Sequence, residues 1–504
     1  MTSNQKTGLA SQAFLLTLGH LIAYAGNLLV SVILVRMISV ADYGTFLQVN
    51  LVFATVLSLA VFGLPASLFY FIPQLRTDDI KRFVVQNLVL LLMIGVGAAG
   101  VLYACKSSLA AFMNNSQVEG LIGYVILLLV LGILNETTEP VLISIGKADM
   151  VAKLNIAAAC GLLLFVPVVL WLGYGLEGLF VAMAAQYGFK LAVVGVSVSR
   201  FPGAIRPILR AKEIMEQWKY VAPIGSARVL SNIKPKVDQF MISYWYPPEM
   251  FAVYARGAFS LPVAYMVVGN VSDVLLPKLV QLGKAGKKQE MFDLWQEAMK
   301  RVSLFTVPLF VFFLLYAEEV IVFLFTDAYR GSALIFAIYL CSLPMELFYF
   351  GHLHQAFGFT RHILLANILT FPLTILLNVV FHALFGFTGP AIAWVVTKGL
   401  TIFYHLAVIR KYFSVSFFQV FPWAHLGKML GLCLLAGAVS YPLKWLAAPN
   451  VLVLAAGAVC FAGLYLVLLE KFGCLSSEVK TMIMERLPML RLEKWMFSSG
   501  VTRQ

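Results

Sequence analysis

The stretch Val221–Tyr246 reads VAPIGSARVLSNIKPKVDQFMISYWY, and it decides how the rest of the chain is read. Its ends are as apolar as a membrane span, yet its middle carries Arg228, Lys234, Lys236 and Asp238. On a helix turning 100° per residue, Arg228, Asn232, Lys236, Gln239 and Ser243 fall on one narrow stripe. Lys234 and Asp238 are four apart, the spacing of a helical ion pair. Pro235 lacks an amide proton and is expected to kink the helix at mid-depth. Each charge near the centre of a span costs about 2.5–3.5 kcal/mol to insert. Four of them cannot face lipid. They either form buried structural pairs or line a wet cavity, and three bases against one acid favour a cavity that receives an anion.

Outward from this stretch the chain is membrane-like throughout. Of its 504 residues, 61% are hydrophobic and 12% charged, with mean hydropathy +0.88. This is the composition of an all-α polytopic membrane protein. Fourteen spans are predicted, at roughly 13–38, 45–72, 83–105, 120–146, 151–173, 175–198, 221–246, 252–279, 302–325, 331–357, 362–385, 388–410, 424–446 and 450–470. The net charge of +13 would suit nucleic-acid binding. However, the bases gather in alternate short loops, such as Arg76, Lys81 and Arg82, or Lys284, Lys287 and Lys288. That is the positive-inside pattern, and it argues against a nucleic-acid partner. It places both termini on the cytoplasmic side of the membrane. The first apolar segment is too long for a signal-peptide core. The six cysteines show no CxxC, so neither a disulfide framework nor a zinc site is expected. Ile208–Tyr220 and Ser476–Phe497 have the look of interfacial amphipathic helices.

The chain also repeats itself. Gly146 and Asn155 in GKADMVAKLN are spaced like Gly358 and Asn367 in GFTRHILLAN, and GLEG at Gly175–Gly178 matches GFTG at Gly386–Gly389. The offset spans six helices, an even number, so the two halves have parallel topology. Parallel repeats are a transporter architecture with the substrate between them. The expected organisation is one six-helix bundle over 1–210, a second over 211–412, two extra helices over 413–472 and a cytoplasmic amphipathic tail over 473–504.

Several polar residues inside spans are candidates for function. His20, Tyr24, Asn27 and Ser31 form one stripe of the first span; bonding between helices would also explain the last three. Glu136 and Glu139 in NETTEP sit inside the fourth span beside Asn135 and Pro140. They are candidates, with Asp238, to bind a coupling proton or Na⁺, against the plainer reading of structural carboxyls. Glu346 raises the same question. Lys190 and Lys398 either face the cavity or pair with one of these acids, and Asp273 is a candidate to neutralise Arg256 or Arg228. Arg36 and Asp42 read as a structural pair, Glu318 and Glu319 as a solvated rim. His352 and His354, two apart, point to different helix faces and make a poor metal pair. HExxH, the P-loop and GxSxG are absent from the sequence. With no room for a catalytic soluble domain, an enzyme is not expected, and no catalytic residue or metal ligand is assigned.

LVRMISVADYGTFLQV after the first span, VDQFMISYWYPPEMFAVYARGAFSLP across the seventh and eighth, and LPKLVQL beyond it resemble motifs of the polysaccharide transporter (Wzx-like oligosaccharide flippase) family. Ala252 and Tyr254 keep that family's small residue and tyrosine-containing turn after Phe251. The resemblance implies the multidrug/oligosaccharidyl-lipid/polysaccharide (MOP) exporter fold. It also implies an undecaprenyl-pyrophosphate-linked oligosaccharide as substrate, flipped to the outer leaflet for O-antigen, exopolysaccharide or capsule synthesis. A polysaccharide polymerase and a chain-length regulator would be the partners. On that reading Arg228, Lys234 and Lys236 meet the pyrophosphate, and Tyr24, Asn27, Asn232 and Gln239 meet the sugars. The lipid tail stays in the bilayer. No cofactor is implied beyond H⁺ or Na⁺. A cation-coupled multidrug exporter and a peptidoglycan lipid-precursor flippase are the alternatives within the fold. A membrane polymerase or ligase would need a large outer loop, which this chain lacks.

Overall fold

The computed structural model describes residues 3–205, 209–259, 261–348, 360–446 and 448–474. Helices occupy all fourteen predicted positions, the tenth only in part because 349–359 lie outside the described residues. The first half holds α1 (Ser3–Met37), α2 (Val40–Val61), α3 (Leu64–Phe71), α4 (Thr77–Ala104), α5 (Lys106–Phe112), α6 (Gln117–Asn135), α7 (Thr138–Ser144), α8 (Ala148–Trp171) and α9 (Gly175–Ser199). The second holds α10 (Ala211–Ile233), α11 (Val237–Trp245), α12 (Pro248–Gly257), α13 (Pro262–Lys284), α14 (Lys288–Leu315), α15 (Ala317–Phe325), α16 (Ser332–Leu340), α17 (Thr360–Phe385) and α18 (Gly389–Phe413). The last two spans are α19 (Trp423–Ser440) and α20 (Asn450–Lys471).

Ten stretches among the described residues are long and apolar enough to cross a membrane, one of them, Arg361–Phe413, containing both α17 and α18. The chain is an all-α, multi-pass membrane protein. Apolar faces turned to lipid explain why Leu164, Phe165, Phe403 and Val459 are more than half exposed. GLEG opens α9 just after its turn from α8, and GFTG joins α17 to α18. Gly175 (φ +54°) and Gly386 (φ +58°) adopt the same left-handed backbone there, which a side chain would strain.

The halves meet tightly at the end that carries the α1–α2 turn. There α2 packs on α12, and α1 reaches α15. Gly44 makes this approach feasible: a Cβ on it would lie 1.9 Å from the carbonyl oxygen of Pro248. Gly44→Ala is therefore expected to cost about 1–3 kcal/mol through overpacking, read as a lowered melting temperature in detergent. Buried Gln48 donates to Ser243 of α11 (2.9 Å) and to the Met113 carbonyl (3.0 Å). Arg256 of α12 donates to Ser31 (3.2 Å) and lies over the rings of Tyr43 and Phe325. The side chain of Asp273, read as its neutraliser, lies outside the described residues.

Two further pairings read from the sequence are corrected. Arg36 does not pair with Asp42; its guanidinium donates to the carbonyls of Phe323 (2.8 Å) and Leu324 (2.8 Å), capping the last turn of α15. A cation satisfies those carbonyls and complements the helix dipole. Asp42 instead bonds Ser39, the N-cap of α2. Glu319 is not a solvated rim either: it is mostly buried and pairs with Lys444 beyond α19 at 2.9 Å. Glu318 does stay exposed, bound to Arg330 at 2.9 Å.

At the opposite end the first half of α10 lies on α3 and α4. Arg82, 2% exposed, donates to both oxygens of Glu213 (2.9 and 2.8 Å). Gln217 donates to Ser67 (2.6 Å) and Asn87 (2.5 Å). Ile208–Tyr220 is thus no separate interfacial helix. From Ala211 onward it is the first part of α10, held by buried polar partners; Ile208 itself, like Ser476–Phe497, His352 and His354, lies outside the described residues.

Candidate functional site: two cavities flanking one broken helix

Lys234–Lys236 form a single 3₁₀ turn between α10 and α11, with Pro235 at its centre. Pro235 cannot donate to the carbonyl four residues back, so the helix tightens there. The expected interruption is present, and it breaks the expected stripe. A turn at 3 residues per revolution rotates the downstream helix relative to the upstream one. Arg228 therefore faces the first half and Asn232 bonds Ser58 of α2 (2.9 Å). Lys234, Lys236 and Gln239 face the second half. Ser243 is buried against Gln48.

The second-half cavity encloses about 770 Å³. Lys234 Nζ donates to Thr370 of α17 (2.6 Å) and Thr401 of α18 (3.0 Å). Both threonines give their own protons to carbonyls one turn back, Ala366 and Thr397, which leaves their lone pairs free for the ammonium. Lys234 is thus solvated by hydroxyls and has no counter-ion among the described residues. Lys236 lines the same space and makes no hydrogen bond or ion pair among the described residues. Lys398 is different: it pairs with Glu346 and lies over the Trp394 ring at 5.0 Å. The uncompensated charge in this cavity comes from Lys234 and Lys236.

The expected Lys234–Asp238 pair does not form. Asp238 lies beyond the 3₁₀ turn, 1% exposed, and its Oδ2 accepts from Tyr254 (2.8 Å) and Tyr339. Its Oδ1 has no partner. Tyr339 also stacks on Trp394 at 4.6 Å, linking Asp238 to the cavity wall.

The first-half cavity is smaller, about 330 Å³. The break between α6 and α7 builds one side of it. Pro140 cannot donate to the Glu136 carbonyl, α6 ends at Asn135, and Glu136 and Glu139 are presented at the interruption. Arg228 enters from α10, and Lys190 from α9, where it donates to Asn155 (3.1 Å) rather than to an acid. Glu139 lies 3.5 Å from His20 of α1. Arg228 and Glu136 each make no hydrogen bond or ion pair among the described residues. Along α1, His20 reaches Glu139 and Ser31 reaches Arg256. Tyr24 and Asn27 lie on the same stripe between those contacts and are exposed; neither lines one of the two cavities.

The proposed anion-binding trio is therefore divided: Arg228 in one cavity, Lys234 and Lys236 in the other. Thr370, Thr401, Tyr339 and Trp394 escaped the sequence reading, and Tyr254 entered it only as part of a family motif. The spacing of Thr370, Thr374 and Asn378, each one helical turn apart along α17, was the signal for the first of these.

A model of the family described as "Polysaccharide biosynthesis protein" matches residues 33–334, more than half of the chain. No curated protein sequence matches. Among solved structures the fold resembles the lipid II flippase MurJ in an inward closed conformation. The TM-score is 0.72 at 13% identity, covering 91% of this chain and 99% of that one. An inward-facing multidrug-resistance MATE transporter of the MOP superfamily gives TM-score 0.62 at 16% identity, covering 79% and 94%. A MOP superfamily transporter from Pyrococcus furiosus, described as having a binding pocket of reversed polarity, gives 0.56 at 15% identity, covering 80% and 94%. The chain belongs to the polysaccharide biosynthesis protein family and has the fold of the MOP exporters that its motifs resemble.

Proposed function

We propose that the protein flips a polyprenyl-pyrophosphate-linked oligosaccharide from the cytoplasmic to the outer leaflet of a bacterial inner membrane, by alternating access, for surface polysaccharide synthesis. One observation carries this reading: Lys234 and Lys236, paired with no acid among the described residues, line a 770 Å³ cavity in a member of a polysaccharide biosynthesis family. A pyrophosphate gains most from ammonium groups in a water-poor cavity, where the local dielectric is low. Polar groups nearby suit sugar hydroxyls, and the prenyl chain stays in lipid. Asp238, buried with one free oxygen beside the cationic turn, is the residue proposed to take up a coupling proton. Polymerase and chain-length regulator are the proposed partners.

The likeness to MurJ supports a second reading, that the lipid-linked cargo is the peptidoglycan precursor. A deletion strain separates the two. On the first reading a pyrophosphate-linked oligosaccharide accumulates on the cytoplasmic side, seen by mass spectrometry of lipid extracts, and surface polymer is lost without lysis. On the second, depletion lyses the cells. Normal delivery to the outer leaflet with normal growth would reject both.

A further inference from the structure

The connector between α18 and α19 is firmly anchored, yet it leaves two aromatic rings bare. Ser416 caps a one-turn helix, Phe417–Val420, and Gln296 of α14 donates to the carbonyls of Gln419 (2.7 Å) and Val420 (3.2 Å). Phe417 stacks on Phe403 at 5.5 Å, and Val420 and Phe421 are buried. Phe418, between these anchored neighbours, is 83% exposed, and Trp423 at the start of α19 is 51% exposed. With Lys300 and His425 they line an open cavity of about 530 Å³.

This cavity lies where polar sequence gives way to apolar sequence. In α14 the charged residues end with Lys300 and Arg301, and Val302–Leu315 carries none. The span of α19 starts at Trp423. Aromatic rings beside a lysine at that level engage the headgroup region of a bilayer. On the positive-inside reading this is the cytoplasmic face. The cation is uncommitted. Lys300 Nζ makes no hydrogen bond among the described residues and lies 3.7 Å from Glu297, whose carboxylate is shared with Arg301 at 3.3 Å. Lys428, one turn beyond His425, donates to the Phe472 carbonyl (2.8 Å) and pairs with no acid among the described residues.

We infer that this cavity is a site for an anionic phospholipid, with the phosphodiester on Lys300 and the acyl end on Phe418 and Trp423. The inference holds whichever cargo the protein carries. Charge complementarity selects the lipid: a zwitterionic headgroup brings its own ammonium against Lys300 and Lys428, whereas phosphatidylglycerol brings only the anion. A free phosphate would meet the cation but leave both rings in water, and a lipid satisfies both. Bound here, one lipid touches α14, the connector and α19 at once, and so fastens the last two spans to the second half.

The test is Trp423 emission from the purified full-length protein in phosphatidylcholine vesicles doped with a lipid brominated on its acyl chains. The Trp423 share is native emission minus that of W423F. Brominated phosphatidylglycerol is expected to quench it with about five- to thirtyfold higher apparent affinity than brominated phosphatidylcholine, the range for one to two lysines at a membrane surface. K300Q is expected to cut this preference about fivefold, K300R to keep it, and raised salt to weaken it. F418A, at an exposed position that cannot unfold the protein by cavity formation, is expected to weaken quenching by both lipids about threefold. Melting temperatures near native confirm that each variant is folded. Equal quenching by the two lipids, or a preference unchanged in K300Q, would overturn the site. Loss of the preference on adding inorganic phosphate, at ionic strength matched with chloride, would make it a site for soluble anions and overturn the lipid assignment.

Discussion

Replacing Lys234 and Lys236 together by glutamine should reduce translocation of the lipid-linked substrate at least about 100-fold, while protein level and melting temperature stay near native. Each ammonium offers charge-assisted hydrogen bonds worth about 1.5–3 kcal/mol to a phosphate. Two lost contacts make this the largest functional effect of any pair in the molecule. Stability should survive because neither lysine holds a carboxylate. Lys234 sits on the hydroxyls of Thr370 and Thr401, which a glutamine amide also satisfies. The measurement is the leaflet distribution of substrate in cells complemented with the variant. The K398M/E346Q variant is the contrast: it removes a neutral pair from the same cavity, and transport should fall by less than about tenfold. Full transport by K234Q/K236Q would remove the anion site from the second half.

Arg82→Ala should be the most destabilising single substitution among the ion pairs described, at about 3 kcal/mol. Arg82 is nearly inaccessible and its bond to Glu213 is bidentate. Removing it strands a carboxylate that is three-quarters covered. Arg210, 3.1 Å from the same Glu213 oxygen, recovers only part of the loss because it is itself well exposed. Thermal unfolding in detergent reads the effect. The R82A/E213Q double variant should recover more than half of it, since no charge is then left buried; no recovery would mean that lost packing, and not the stranded acid, sets the cost.

The fold was legible in the sequence because its governing signals are local. Apolar runs fix the spans, basic loops suggest their orientation, and Pro235 announces the break at Lys234–Lys236. Site chemistry was legible at the level of residue type. Arg228, Lys234 and Lys236 of the seventh span do point into cavities rather than to lipid, and Asp238 is buried. Their grouping was not legible, because one 3₁₀ turn sends Arg228 and Lys236 to different cavities. No residue near Lys234 in the chain foretells its threonine partners, which lie 136 and 167 positions away. The same holds for Arg36, whose carbonyl acceptors are 287 and 288 positions distant, and for Glu319 with Lys444. Periodicity reports which face is polar; it does not report which helix will arrive opposite.

The two segments of the seventh span have different principal neighbours. Arg82, Asn87 and Ser67 hold α10 to the first half, whereas α11 packs on α12, α17 and α18 of the second. Lys234–Pro235–Lys236 are the three residues that join those two segments. An anion held by Lys234 and Lys236 would therefore bear on the same short run of backbone torsions that joins α10 to α11.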